Sequence, residues 1–252
     1  MFPAASLAFV GGMLTGSFVG VVAHRVPRGV SIVRPRSVCD SCGTQIAAYD
    51  NVPVVSWLML RGRCRSCQAA IPARYPLVEL TVGIAFAATA IVLRHDPAQL
   101  ALGLLFVAML AAITLTDLER RVIPNTILLA GAIAAVALVA ATDPSSLPER
   151  GIAAAAAGGG LFLIALAYPR GMGMGDVKLA AVMGLYLGSA VAPALLIAVL
   201  VGTVVGVGAM VSQGSEARKM AVPFGPFLAL GGVIALLAGD QLIDAYLNAF
   251  VR

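Results

Sequence analysis

Long apolar segments alternate with short polar connections along most of this 252-residue chain. A helix needs about 20 mostly apolar residues to cross the hydrocarbon core of a membrane. The pattern therefore predicts an all-α polytopic membrane protein with about eight transmembrane helices, of which the sixth is short. The approximate limits of the apolar segments are 4–23, 77–93, 98–116, 125–141, 152–168, 177–188, 190–211 and 223–238.

Composition supports a membrane protein over a soluble one. Hydrophobic residues make up 60% of the chain and charged residues 12%, with a mean hydropathy of +0.96. A soluble domain of this length would show amphipathic stripes, whereas these segments are apolar throughout. We expect the first segment to be a retained anchor instead of a signal peptide, because His24 and Arg25 follow it where a small-residue cleavage site would stand.

The basic residues are distributed unevenly among the connections. Fourteen of the 17 lysines and arginines lie in the first, third, fifth and seventh connections, and eight of them lie in the first. Cytoplasmic loops of membrane proteins carry the excess of basic residues. The odd-numbered connections are therefore predicted to be cytoplasmic, with both termini on the outside. The basic residues of the last two of these connections are Arg170, Lys178, Arg218 and Lys219, and Arg252 ends the chain.

All four cysteines lie in the first connection, residues 24–76. They form two Cys-x-x-Cys pairs, Cys39 with Cys42 and Cys64 with Cys67, separated by 21 residues. This spacing predicts a tetrahedral four-cysteine zinc site. Two disulfides are the main alternative, but disulfides rarely persist in the cytoplasm, so zinc is favoured.

The sequence thus predicts three parts: a first transmembrane helix (1–23), a cytoplasmic zinc-binding domain (24–76) and a transmembrane domain (77–252). The arginines of the cytoplasmic domain are expected to set topology and to contact anionic lipid. Little aromatic interleaving accompanies them, which disfavours nucleic acid as a partner. Asp40 and Asp50 are expected to be solvated.

Two carboxylates are predicted at one membrane edge. Asp117 ends the third apolar segment, and Asp176 follows a glycine-rich stretch, GMGMG, just before the sixth. Taken singly, each is consistent with an interfacial polar residue or a helix cap. Two ionisable groups at membrane depth on one face indicate a functional site. Gly173 and Gly175 would shape that site by adopting unusual backbone dihedrals and letting an extended strand pass closely.

Six segments of the chain resemble type IV prepilin peptidases in order and spacing. The two that carry the aspartates are TDLERRVIPN and GMGMGDVKLA, and the second also resembles the Gly-x-Gly-Asp segment of the wider intramembrane aspartic proteases. The resemblance implies that Asp117 and Asp176 are catalytic. The other segments are GSFVGVVAHRVPRG, CDSCG, WLMLRGRCRSCQAAIPARYPLVEL and PFGPFLALGG.

The resemblance also implies a substrate and a place. Members of this family cut a short basic leader from prepilins or pseudopilins, the precursors of type IV pili and type II secretion systems, at the cytoplasmic face of the bacterial inner membrane. Many also methylate the new N-terminus using S-adenosylmethionine. Shorter relatives without the cysteine segment only cleave, which favours a bifunctional enzyme here. The partners are then the precursors and the lipid bilayer, with no nucleic acid.

Some features stay open at this level. Glu79 is consistent with binding the basic leader or the amine, and equally with an interfacial acid near Arg74. Lys178 is consistent with tuning Asp176, and more so with snorkelling to lipid head groups. A transporter using the two aspartates, or a membrane scaffold with a zinc module, remains as an alternative function. No Gly-x-Gly-x-x-Gly turn is present, so a Rossmann-type site for the methyl donor is not expected.

Overall fold

The structure is a computed structural model that describes residues 2–34, 36–169, 171–213 and 223–250. These residues are almost entirely helical, and no β-strand occurs among them. The helices are α1 (Phe2–Arg25), α2 (Val55–Met59), α3 (Arg74–Val92), α4 (Pro97–Arg120), α5 (Asn125–Thr142), α6 (Leu147–Ala167), α7 (Met174–Leu187), α8 (Val191–Gln213) and α9 (Gly225–Phe250).

Seven stretches of the described chain are long and apolar enough to cross a membrane. Six of them correspond to single long helices, whereas the seventh, Met174–Ser212, contains α7 and α8 joined by a 3₁₀ turn at Gly188–Ala190. Helix α7 has 14 residues, so it is about 21 Å long, against about 30 Å for the hydrocarbon core. The predicted all-α membrane fold with a short sixth segment is therefore confirmed.

The chain divides into two compact units, Met1–Arg94 and His95–Arg252. In the first unit, α1 packs along α3 through small residues. A Cβ atom at Gly12 would lie 2.8 Å from the Cα of Gly83, so the two backbones approach as closely as membrane helices with small interfacial residues do. The finer division of the chain at residues 23 and 76 stays a prediction.

The second unit surrounds its shortest helix with longer ones. Helix α7 packs against α4, α5, α6, α8 and α9, and half of its 14 residues are buried. The rings of Phe106 and Tyr186 stack with centroids 4.8 Å apart. This burial fixes the position of α7 at the centre of the unit. The largest fully buried apolar side chains here are Phe106, Leu110, Ile113, Leu179, Met183 and Leu228.

The C-terminal end of α7 is held by polar contacts. The Arg150 guanidinium donates hydrogen bonds to the carbonyl oxygens of Leu185 (3.1 Å) and Tyr186 (2.6 Å). The last carbonyls of a helix lack partners within the helix, so a cation placed there stabilises the end. The Tyr186 hydroxyl also donates to the carbonyl of Gly131 at 2.8 Å. These bonds fix the position of α7, the helix that carries Asp176, along α5 and α6.

Helix α9 extends beyond its predicted end. We predicted an apolar segment over 223–238, whereas α9 continues to Phe250 past a break at Ala238, whose φ of −142° is not helical. The apolar pattern stops there because Asp240 and Gln241 follow. The basic residues Arg170, Arg218, Lys219 and Arg252 lie outside the described residues.

Candidate active site and metal centre

Asp117 lies in the last turn of α4 and is almost completely buried. The residue is 5% exposed. Its Oδ2 accepts a hydrogen bond of 2.9 Å from the backbone N–H of Gly225, the first residue of α9. A buried carboxylate needs such donors, because burying an unpaired charge is costly. The fold therefore supplies a specific partner for Asp117 from a segment 108 residues away.

Asp176 lies in the first turn of α7 and is partly buried. Helices α4 and α7 pack against each other, and the two carboxyl groups are close enough to interact electrostatically. Two carboxyl groups at short range cannot both ionise freely, because their negative charges repel each other. The structure thus brings Asp117 and Asp176 together at one end of the helices, as the sequence led us to expect.

The glycines before Asp176 act through close approach, not through unusual dihedrals. None of Gly171, Gly173 and Gly175 is among the described residues with positive φ, and Gly173 has an ordinary φ of −78°. A Cβ atom would lie 3.2 Å from Asp176 Oδ2 at Gly173, and 3.0 Å from Ile123 Cβ at Gly175. The expected special dihedrals were therefore wrong. Gly175 is also helical, as the second residue of α7.

The Lys178 side chain binds a residue of another helix. Its Nζ donates a hydrogen bond of 3.0 Å to Asn125 Oδ1 at the start of α5. The side chain is exposed, in line with an interfacial position. The contact joins α7 to α5 beside the two aspartates.

Gly225 is the site residue that sequence reasoning missed. It stands in the PFGPFLALGG segment, which we noted only as part of a family resemblance. A glycine between Phe224 and Pro226 at the start of an apolar run signals a helix start, but not the carboxylate it meets. Such a partner is set by tertiary packing and leaves no local pattern.

The four cysteines form one cluster in the first unit. All four Sγ atoms lie within 4.8 Å of one another, and Cys39 Sγ is 3.8 Å from Cys67 Sγ. Sulfur ligands at about 2.3 Å from a tetrahedral metal ion would be about 3.8 Å apart. All four cysteines are free of disulfides. The four thiols are therefore close enough together to hold one metal ion.

The two Cys-x-x-Cys pairs have the same local fold. An isolated antiparallel bridge flanks each pair, Val38 with Gln45 and Arg63 with Ala70. The residue four positions after the first cysteine of each pair has positive φ, +69° at Gly43 and +59° at Gln68. Such knuckles turn both thiols of a pair toward one point, which explains how two distant pairs meet.

The expectation that Asp50 is solvated was wrong. Its side chain is 10% exposed and accepts two hydrogen bonds from Arg65, at 2.8 and 2.6 Å. The hydrogen bonding of Arg65 holds the pKa of Asp50 below its usual value. Because Arg65 lies between Cys64 and Cys67, this pair ties the second knuckle to the preceding loop. Asp40 is exposed, as expected.

Glu79 binds the backbone of the cysteine-bearing segment. Its Oε2 accepts a hydrogen bond of 2.7 Å from the N–H of Val54. Val54 has φ +61° and ψ −51°, and Val55 N–H donates to Pro53 O at 2.5 Å, which together define a classic γ-turn. This conformation is strained for a β-branched residue. Glu79 therefore helps to hold a strained turn at the start of α2.

Comparisons with known proteins agree with this arrangement. The model of the bacterial peptidase A24 N-terminal domain matches residues 10–93, and the model of the type IV leader peptidase family matches residues 104–207. The prepilin leader peptidase/N-methyltransferase of Aeromonas hydrophila is 37% identical over 98% of this chain and 94% of its own length. The chain belongs to the type IV leader peptidase family.

Similar relatives occur in distant bacteria. Proteins of the same name from Bacillus subtilis (strain 168) and Neisseria gonorrhoeae are 35% and 32% identical, over 96% and 95% of this chain and 98% and 92% of their own lengths. No solved structure matches the chain. The N-terminal match contains all four cysteines and Glu79, and the leader peptidase match contains Asp117 and Asp176.

Proposed function

We propose that this protein cleaves the basic leader from type IV prepilins or pseudopilins, with Asp117 and Asp176 as its catalytic pair. The observation that carries the proposal is that the carboxyl groups of Asp117 on α4 and Asp176 on α7 lie within electrostatic range of each other. Relatives of nearly full length are named prepilin leader peptidases. Family membership favours this function over a transporter or a scaffold.

Peptide hydrolysis by this pair needs one proton shared between two carboxyl groups. The ionised carboxylate takes a proton from water, and the resulting hydroxide adds to the carbonyl carbon of the scissile bond. The protonated partner donates to the carbonyl oxygen. The C–N bond then breaks as the amine nitrogen receives a proton, which yields a new carboxyl end on the leader and a free amine on the pilin. Repulsion between close carboxylates favours the singly protonated state.

The proposed orientation places this site at the cytoplasmic face of the bacterial inner membrane. Asp117 ends its helix next to Arg120 and Arg121, and Asp176 stands near Lys178. Basic residues of this kind mark the cytoplasmic ends of transmembrane helices. A leader that is still in the cytoplasm would then reach the pair directly.

We further propose that the new N-terminus is methylated and that the four cysteines hold zinc. The relatives carry N-methyltransferase in their names, and a zinc ion bound by four thiolates is structural. Cys39, Cys42, Cys64 and Cys67 would bind the ion and fix the fold of a segment that has little apolar core. S-adenosylmethionine is the proposed methyl donor, which would transfer its methyl group to the free amine with loss of a proton.

A single assay tests both activities. Purified protein is mixed with a prepilin, with or without S-adenosylmethionine, and the products are weighed by mass spectrometry. We expect loss of the leader in both reactions and the added mass of one methyl group only with the donor. An intact prepilin after incubation with wild-type protein would contradict the proposed function.

A further inference from the structure

We propose that Gly225 is a positioning residue for Asp117: its backbone N–H fixes Oδ2 so that Oδ1 is presented to the reacting water. This inference rests on the proposed role of Asp117 in cleavage. It assigns a task to the start of α9, a segment beyond the residues that the family model matches.

The donor is available because of where Gly225 stands in its helix. The first N–H groups of a helix have no acceptor within that helix. In α9 the Phe224 carbonyl accepts from Phe227 and Leu228, while the Gly225 N–H points to Asp117 Oδ2 at 2.9 Å. The neighbouring Pro223 and Pro226 have no N–H to offer. Gly225, which stands between these two prolines, therefore supplies the N–H that binds the carboxylate.

A side chain at this position would collide with the Asp117 carboxylate. A Cβ atom on residue 225 would lie 2.7 Å from Asp117 Oδ2 and 3.2 Å from its Cγ. Side chains essentially never approach so closely, so any other residue would displace the carboxylate or the start of α9. Because Gly225 has no side chain, its N–H can reach the Asp117 carboxylate, and the carboxylate has room to lie against the start of α9.

The hydrogen bond distinguishes the two oxygens of Asp117. Within the part of the chain that the structure describes, Oδ2 bonds to Gly225 and no hydrogen bond is made by Oδ1. Gly225 thus occupies Oδ2, and Oδ1 is the oxygen left to bind water in the proposed reaction. A carboxylate held in one rotation presents one oxygen in a fixed direction, which is how preorganised groups lower a barrier.

The test removes the N–H without adding a side chain. Cell-free synthesis with glycolic acid at position 225 replaces the amide with an ester, and the same replacement at Gly151 is the matched control. Gly151 lies in α6 with open space around it. We expect the ester at 225 to lower kcat for leader cleavage at least about 10-fold, as for loss of one hydrogen bond to a charged group. KM should stay unchanged, and the ester at 151 should cleave at nearly the wild-type rate.

Other results of this experiment would overturn the positioning role of Gly225 or the proposed function. A kcat at 225 within about twofold of the 151 control would overturn the positioning role. Loss of inserted protein for the 225 ester alone, or a parallel change in KM and kcat, would mean that the bond only caps α9, which also overturns it. Wild-type protein and Asp117→Asn are measured alongside. If wild-type protein fails to cleave or Asp117→Asn still cleaves, the proposed function itself fails.

Discussion

The Sγ atoms of Cys39 and Cys67 lie 3.8 Å apart, although the two residues stand 28 positions apart in the chain. They belong to different Cys-x-x-Cys pairs, so the contact joins the two knuckles. The Sγ–Sγ distance of 3.8 Å is too long for a disulfide, whose sulfurs are about 2.05 Å apart. The same distance suits two ligands of one tetrahedral ion.

Purified protein should contain one zinc ion per chain. Cys39→Ser and Cys64→Ser should each abolish it, because a structural site of this type needs all four thiolates. We expect methylation to fall more than cleavage in both variants, since shorter members of the family are expected to cleave without this segment. Metal analysis by mass spectrometry and the two-product assay measure these effects.

Ser66→Ala is the control for the metal prediction. Ser66 lies between Cys64 and Cys67 and is exposed, so its loss should leave zinc and both activities unchanged. Active protein isolated without metal, with Cys39 and Cys42 oxidised, would refute zinc binding.

Membrane topology follows from the alternation of basic residues. A reporter enzyme that is active only outside the inner membrane should be silent when fused after residue 45 or 122, and active after residue 145. Position 145 lies in the 3₁₀ turn Pro144–Ser146, between α5 and α6. Activity after residue 45 would reverse the orientation and place both aspartates on the face opposite a cytoplasmic leader.

Two substitutions distinguish whether Glu79 holds the turn at Val54 or binds the substrate. Glu79→Gln removes the charge but keeps an oxygen that can accept from Val54 N–H, whereas Glu79→Leu removes both. If Glu79 chiefly holds the strained turn at Val54, Gln should preserve methylation and the protease resistance of the cysteine segment, and Leu should lower both. A hydrogen bond to a charged group contributes about 1.5–3 kcal/mol. Its loss in Glu79→Leu is enough to open a local turn.

The opposite pattern would assign Glu79 to the substrate. If Gln impairs activity as strongly as Leu while the cysteine segment stays protease resistant, the negative charge itself is needed. Val54→Gly tests the turn independently, because glycine adopts positive φ at low cost. This variant should keep the segment folded.

The length of the apolar segments predicted most of the helices before the structure was known. The uniformly apolar segments matched α1 and α3 to α9 because lipid-facing and buried surfaces are both apolar, so whole helices stand out from the polar connections. The Cys-x-x-Cys pairs were equally informative, since two pairs of ligands must converge on one ion. Asp117 and Asp176 were recognisable because carboxylates are rare within apolar segments.

The remaining features depend on packing between distant segments. The Gly225 amide meets Asp117 across 108 residues, and Ile123 lies against Gly175, neither of which a local pattern encodes. Asp50 looked like a turn residue because its partner, Arg65, stands in another loop. The conformational preference of valine argues against a positive φ at Val54. The turn forms there because Glu79, from α3, binds the Val54 N–H.

A side chain at position 175 should be tolerated better when Ile123 is reduced in size. A Cβ atom at position 175 would lie 3.0 Å from Ile123 Cβ, so Gly175→Val should lower leader cleavage more than 10-fold by displacing the first turn of α7, about the effect of a shift of 1 Å at a site of this kind. Gly175→Ala should be milder, and adding Ile123→Ala should restore part of its activity. Steady-state cleavage rates measure this.

Gly159→Val provides the comparison for Gly175. Gly159 lies in α6 with open space around it, so a side chain there meets nothing and cleavage should be nearly normal. Equal cleavage by Gly175→Val and Gly159→Val would show that the contact with Ile123 has no bearing on the site.

The most direct test of the account is the rate of leader cleavage by Asp117→Asn and Asp176→Asn. Asparagine keeps the size of the side chain, and at position 117 it keeps an oxygen for the Gly225 N–H, so both proteins should insert normally and retain their metal. Each should cleave at least about 1,000-fold more slowly than wild type, and the double variant should be no worse than either single one, because groups acting as a unit are not additive. Asp240→Asn, at an exposed carboxylate on α9, should cleave normally. Near-normal cleavage of a prepilin by either Asp117→Asn or Asp176→Asn would contradict the catalytic pair.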